Sequence, residues 1–184
     1  MKKSVIFVAA FGLTVLSACK EKKPQEEVIT VRQEVFKPQA PIRMQEYKQE
    51  SDVKWMGSSY HVRITRVPVD SLPMVKDETG QKYVDNSIKL TVTRADGSTF
   101  VDRVFTKASF SSYLNDNYRR TGILEAMIFE KVEGNKLEFA VSVAHPQSED
   151  EFIPLEMKID GDGVVNISRD TAIDTYGGDD DEDL

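Results

Sequence analysis

The sequence predicts a mainly β domain of β-rich α+β character: an antiparallel sheet of hairpins forming a sandwich or half-barrel, with one helix near residues 109–121. Three observations lead there. Apolar and polar residues alternate with period two over residues 60–65, 88–93 and 137–143, the pattern of half-buried strands. Glycine-bearing turns separate these runs, at Asp96-Gly97, Glu133-Gly134-Asn135 and Asp160-Gly161-Asp162-Gly163. The connections are short, which favours antiparallel pairing, because parallel strands need crossovers of a dozen residues or more.

Taken in order, the domain is expected over residues 42–170. Tyr60, Val62 and Ile64 alternate with His61, Arg63 and Thr65, and Pro68 ends that strand. Residues 69–81 carry Pro73 and Gly80 and read as a long loop. Ile88, Leu90 and Val92 then lead to Asp96-Gly97, a pair suited to a type I′ turn with positive φ at both central residues. In the return strand Asp102 and Arg103 sit side by side, which suggests a bulge or an edge position. Phe110, Tyr113, Leu114 and Tyr118 have helical spacing, with Ser109 as an available N-cap and Arg119 and Arg120 in the last turn before Gly122. Their aromatic stripe reads as packing against the sheet. Residues 123–132 are nearly continuous in apolar side chains, as in a strand buried on both faces. Leu137, Phe139, Val141 and Val143 form the cleanest alternation, residues 145–150 a polar loop, and residues 155–159 and 165–167 a last hairpin.

The amino end carries the most specific signal. Lys2 and Lys3 precede an apolar run over residues 5–16, which suits a signal-peptide core of about 7–15 residues and falls short of the roughly 20 that cross a bilayer. Leu16-Ser17-Ala18-Cys19 comes directly after. It resembles, at all four positions, the lipobox of bacterial lipoproteins, Leu-(Ala/Ser)-(Gly/Ala)-Cys. That resemblance implies removal of residues 1–18, diacylglyceration of the Cys19 thiol and acylation of the new amino group; several acyl chains hold far more firmly than one. The plainer readings are an ordinary signal peptide and a membrane helix, and Lys20-Glu21-Lys22-Lys23 ends the run too early for the second. Lys20 stands where inner-membrane retention in enteric bacteria uses aspartate, so the bacterial cell envelope and its outer membrane are expected, in the periplasmic or the surface leaflet. Residues 19–41 read as a tether, within which 28–31 form either a short strand or part of the link. Residues 171–184 end in an acidic block expected to be disordered.

Composition narrows the classes. The formal charge is −7 over 184 residues and becomes −9 once Lys2 and Lys3 leave with the signal. Such acidity argues against nucleic acid, which attracts basic patches. Cys19 is the sole cysteine, so its lipidation leaves no disulfide, thiolate metal site or thiol nucleophile. Apolar residues make up 40%, enough for a hydrophobic core to carry the fold.

Candidate chemistry is sparse. Asp160 and Asp162 alternate in a glycine-bent loop and offer oxygen ligands to Ca²⁺, but Val164 stands where another ligand belongs, so a hairpin turn is the simpler reading. His61 and His145 lack metal-ligand spacing. Trp55 is a candidate for stacking on a sugar and more simply a core residue. There is no Gly-x-Ser-x-Gly elbow and no phosphate-binding glycine loop after a strand. No catalytic residue and no cofactor are assigned.

Lipobox, charged tether and β-rich domain together resemble the small uncharacterised lipoproteins common in Bacteroidales, with residues 137–143 and 159–163 carrying the likeness of the domain. The resemblance implies no activity. The expected function is a non-enzymatic binding or assembly module anchored in the lipid bilayer through acylated Cys19, with an envelope protein or a glycan as partner. The alternatives are a hydrolase whose site is assembled from separate strands, and a glycan-binding accessory lipoprotein.

Overall fold

The computed structural model describes residues 39–171, apart from Gln147 and Glu149. The signal segment, the lipobox with Cys19, residues 28–31 and the acidic block lie outside the described residues. Two four-stranded antiparallel sheets make up most of what is described. The first has the order β1 (Tyr47–Trp55), β2 (Ser58–Pro68), β5 (Asn86–Arg94), β6 (Thr99–Thr106); β3 (Val75–Lys76) and β4 (Lys82–Tyr83) pair separately. The second is a simple meander of β7 (Ile123–Glu133), β8 (Lys136–Ala144), β9 (Phe152–Asp160) and β10 (Val165–Arg169). The sandwich expected from the hairpin pattern is what the chain forms.

The alternating residues explain the packing. Val62, Ile64, Ile88, Leu90 and Val92 from the first sheet share one core with Leu137, Phe139, Val141, Val143, Leu155, Met157 and Ile159 from the second. Most of these are fully buried, and each such side chain contributes about 1.5–3 kcal/mol. At one seam Gln49 of β1 acts as a surrogate strand peptide. Its Oε1 accepts the Phe129 N–H of β7 at 2.8 Å, and its Nε2 donates to the Phe129 carbonyl at 3.3 Å.

Three hairpin loops use one device. Asp77, Arg94 and Asp160 each accept, at the backbone carbonyl, the N–H of a glycine three residues on: Gly80, Gly97 and Gly163. Those glycines have φ of 84°, 82° and 79°, the left-handed residue that comes after a type I turn in a three-residue hairpin. The expected type I′ turn at Asp96-Gly97 is therefore corrected: only Gly97 has positive φ, and Asp96 instead accepts the Ser98 N–H at 2.9 Å. The I′ geometry occurs at Met56-Gly57, with φ of 50° and 77°, joining β1 to β2.

Two other expectations change. The helix near residues 109–121 is split into a 3-10 turn, Lys107–Tyr113, and a short α-helix α1, Asp116–Thr121. Leu114 between them is extended and buried. The Asn115 side chain accepts the Tyr118 N–H at 3.0 Å and so starts α1 afresh. Ser109 closes a capping box with Thr106 at the 3-10 turn. β7 is not buried on both faces: it is an edge strand, with register shifts around Glu125 and Glu130. Those two extra residues turn the side-chain alternation over, leaving Ile128 43% exposed. β6 takes the edge position, one of the two readings of Asp102-Arg103. Those residues pair in regular register with Thr91 and Leu90, and the bulge falls instead at Phe100, opposite Val92 and Thr93.

Candidate functional site

At one end of the sandwich the start of β5 is clamped to the start of β7. Asp85, buried, accepts the N–H groups of Asn86 at 2.8 Å and Leu124 at 2.9 Å through Oδ1. The Asn86 side chain donates to the Leu124 carbonyl at 2.9 Å. The other Asp85 oxygen faces Lys107 Nζ at 3.6 Å. Lys107 leaves the end of β6 and turns inward, donating to the Gly122 carbonyl at 2.5 Å. Its side chain is only 15% exposed. Burial pushes the Lys107 ammonium below the ordinary lysine range, and the Asp85 charge opposes that shift.

Beside this pair lies a cavity of about 460 Å³. Leu72, Pro73, Met74 and Val75 form one apolar wall, Ala108 and Leu114 another, and Arg119 and Arg120 are its exposed cations. Arg119 is already engaged: it donates to the Ser111 carbonyl at 2.9 Å and pairs with Asp116 at 3.1 Å. The volume lies in the ~300–1,000 Å³ range of small-molecule sites, which are mostly apolar with a few placed polar groups.

A second concavity, of about 310 Å³, lies where α1 meets the loop between β8 and β9. The His145 ring stacks on Tyr118 with centroids 4.1 Å apart. Its Nδ1 lies 2.9 Å from Glu151 Oε2, and its Nε2 lies 3.1 Å from Thr121 Oγ1. This is an imidazole oriented by a carboxylate with a hydroxyl at its other nitrogen. That hydroxyl also donates to the Asn117 carbonyl at 2.8 Å, a helical back-bond that competes with the imidazole for its one proton.

A family model described as a domain of unknown function, DUF4738, matches residues 27–167. The chain belongs to the DUF4738 family. No curated protein matches it. The match spans both DUF4738 sheets and both concavities, up to Ile167 on β10.

Of the residues singled out from sequence, His145 lines the second concavity, while Trp55, His61, Asp160 and Asp162 lie elsewhere in this DUF4738 domain. Trp55 is 1% exposed and meets Tyr60 and Phe100 edge-on, with centroids 5.0 and 5.3 Å away; it is core and presents no face to a sugar. Asp160 Oδ1 accepts the N–H groups of Asp162 and Val164 at 3.0 and 2.9 Å. Asp77 does the same for Thr79 and Gln81, in a loop without a second aspartate, so the turn alone accounts for Asp160. Among the described residues no three His, Cys, Asp or Glu side chains gather as a metal site. His61 lies on the outer face of the first sheet with Asp52 and Glu50, apart from His145 and its partners. Cys19 lies outside the described residues.

Sequence reasoning missed Asp85, Lys107, Arg120 and Glu151. Asp85 and Lys107 flank strands at positions without periodicity, and Glu151 reaches His145 across a polar loop. No local motif marks them.

Proposed function

We propose that this DUF4738 protein is a non-enzymatic binding module, anchored at the bacterial outer membrane through acylated Cys19, that takes its ligand in the cavity beside Lys107. One observation carries the binding half: an apolar cavity of small-molecule size whose buried polar pair is already held by the fold. Asp85 caps two backbone N–H groups and Lys107 is fixed to Gly122, so these groups position rather than exchange protons. The anchoring half rests on the match of residues 16–19 to the lipobox.

Strand addition to a sheet edge, another route to a protein partner, has less support. β1 carries the exposed charged row Lys48, Glu50, Asp52 and Lys54, β6 and β7 are bulged, and β10 has 5 residues; each feature discourages edge pairing.

Two measurements test the proposal. Cys19→Ala is expected to move the protein from the membrane to the soluble fraction; unchanged fractionation refutes the anchor. Native mass spectrometry of protein extracted from cells is expected to show an added small mass that Ala108→Trp removes. Finding no added mass, or one that survives Ala108→Trp, refutes the cavity.

A second reading, a hydrolase, is favoured by the His145–Glu151 pair with Thr121 at Nε2. It requires that p-nitrophenyl butyrate be turned over and that His145→Ala abolish this. Equal background rates in both proteins dismiss it.

A further inference from the structure

The charge balance around the cavity narrows its ligand. Lys107 is matched by Asp85 and Arg119 by Asp116, while Arg120 has no hydrogen-bond or ion-pair partner among the described residues. The cavity mouth therefore carries one surplus positive charge on a chain whose formal net charge is −7. A planar guanidinium is built to hold a carboxylate through two parallel N–H donors. One unmatched cation suits a monoanion better than a dianion, whose second charge would compete with Asp85 and Asp116 for Lys107 and Arg119.

The walls say what the anion is attached to. Leu72, Pro73, Met74 and Leu114 offer an apolar lining, and Met74, 43% exposed, has an unbranched side chain able to repack along a flexible chain. No aromatic ring lines the cavity among the described residues, so it lacks the stacking platform that nucleobases and sugar rings use.

We infer that the cavity binds a monoanionic amphiphile, a carboxylate on a linear apolar chain. The head pairs with Arg120 at the mouth, and the chain lies against Leu72, Pro73, Met74 and Leu114. This rests on the proposed role of the cavity as the ligand site, and names the class of ligand.

The test uses the full chain in phosphatidylcholine nanodiscs, titrated calorimetrically with octanoate, octanol and inorganic phosphate against empty nanodiscs. Wild type, Arg120→Gln and Ala108→Trp are compared; both changed residues are exposed, and an unchanged melting temperature checks the fold. Octanoate is expected to bind saturably, about tenfold more weakly after loss of the charge-assisted bond in Arg120→Gln, and not measurably to Ala108→Trp. Octanol is expected to bind wild type and Arg120→Gln alike, more weakly than octanoate binds wild type. If octanoate and octanol bind wild type equally and Ala108→Trp abolishes both, the cavity stands and the carboxylate inference falls. If phosphate alone matches octanoate, the apolar chain is refuted. If neither amphiphile binds, or Ala108→Trp changes nothing, the cavity reading falls as well.

Discussion

Two buried carboxylates, each paired with lysine, behave differently in this molecule. Glu138 sits on the outward face of β8, yet it is only 2% exposed because Lys131 and Lys158 of the neighbouring strands lie over it, at 3.4 and 2.9 Å. Burial alone would raise its pKa, but the hydrogen bond from Lys158 and the lysine charges outweigh it and hold the group below the ordinary glutamate range. Lys158 rises in turn, through Glu156 first and Glu138 second. Both lysines still reach water, at 56% and 27% exposure. At the cavity, Asp85 and Lys107 are withdrawn together and burial wins at the lysine. An ion pair whose cations stay hydrated is sheet structure. One whose cation is withdrawn beside an open cavity carries a desolvation cost that the fold sustains there, which is why the cavity end is the candidate site.

The contrast between the two pairs is broken most directly at Asp85. Asp85→Ala removes the acceptor for Asn86 and Leu124 and strands Lys107 without a counter-charge. A loss of about 3–5 kcal/mol is expected, as for other broken buried pairs, read by urea unfolding. A loss below about 1 kcal/mol, the scale of an exposed pair, would mean that the clamp is ornamental. Adding Lys107→Met to the same chain is expected to restore part of the loss, since the uncompensated cation goes with it.

Gly122→Ala probes the other anchor of Lys107. A Cβ there would stand 2.7 Å from the Tyr118 carbonyl oxygen and 2.9 Å from Val143 Cγ1. Neither neighbour can yield cheaply, so about 1–3 kcal/mol of overpacking cost is expected, with the Gly122 carbonyl displaced from Lys107. In the cavity assay octanoate affinity is expected to fall with it. Full stability in this variant would show that the end of α1 adjusts freely, against the idea of a fixed cavity wall.

Glu138→Gln sharpens the contrast from the other side. Because Lys131 and Lys158 keep their water and are not stranded by the change, a loss of about 1.5–3 kcal/mol is expected, the scale of hydrogen bonds to charged groups. A loss as large as that of Asp85→Ala would erase the distinction between face and cavity.

How much of this was legible in the sequence depends on the same division. The strands built on apolar alternation, β2, β5, β8 and β9, stand out because their inward residues are Val, Ile, Leu, Phe and Met. β1 does not, because two of its inward-facing side chains are Gln49 and Ser51; Gln49 is inward to bond Phe129, a purpose no periodicity reveals. β7 misleads in the other direction, since its bulges at Glu125 and Glu130 expose apolar residues that the run 123–132 suggests are buried. The helix splits because Leu114 is drawn into the core and Asn115 caps a new helix after it, a tertiary demand overriding helical spacing. The cavity was invisible for a simpler reason. Asp85, Lys107 and Arg120 come from three separate segments, and only the packing of β5, β6 and α1 brings them to one place.

The smallest effect tests the face reading at its most exposed point. Glu50 on β1 accepts from Lys48 at 3.0 Å and from Arg63 at 2.7 Å, and hydrogen bonds from these two groups lower its pKa from 4.5 to about 2. Between those values the unfolded chain holds a proton on Glu50 that the folded chain does not. The contribution of Glu50 to stability is therefore complete above pH 4.5 and fades as pH falls through about 2. Glu50→Gln is expected to flatten that part of the acid unfolding profile while leaving the neutral region little changed. Because the group faces water, high salt is expected to abolish the difference between the two profiles. The same salt is expected to change the Asp85→Ala loss far less, since Asp85 and Lys107 are largely withdrawn from water and partly buried pairs are screened much less than exposed ones. A salt-independent Glu50 effect, or a salt-sensitive Asp85 effect, would invert the assignment of face and cavity.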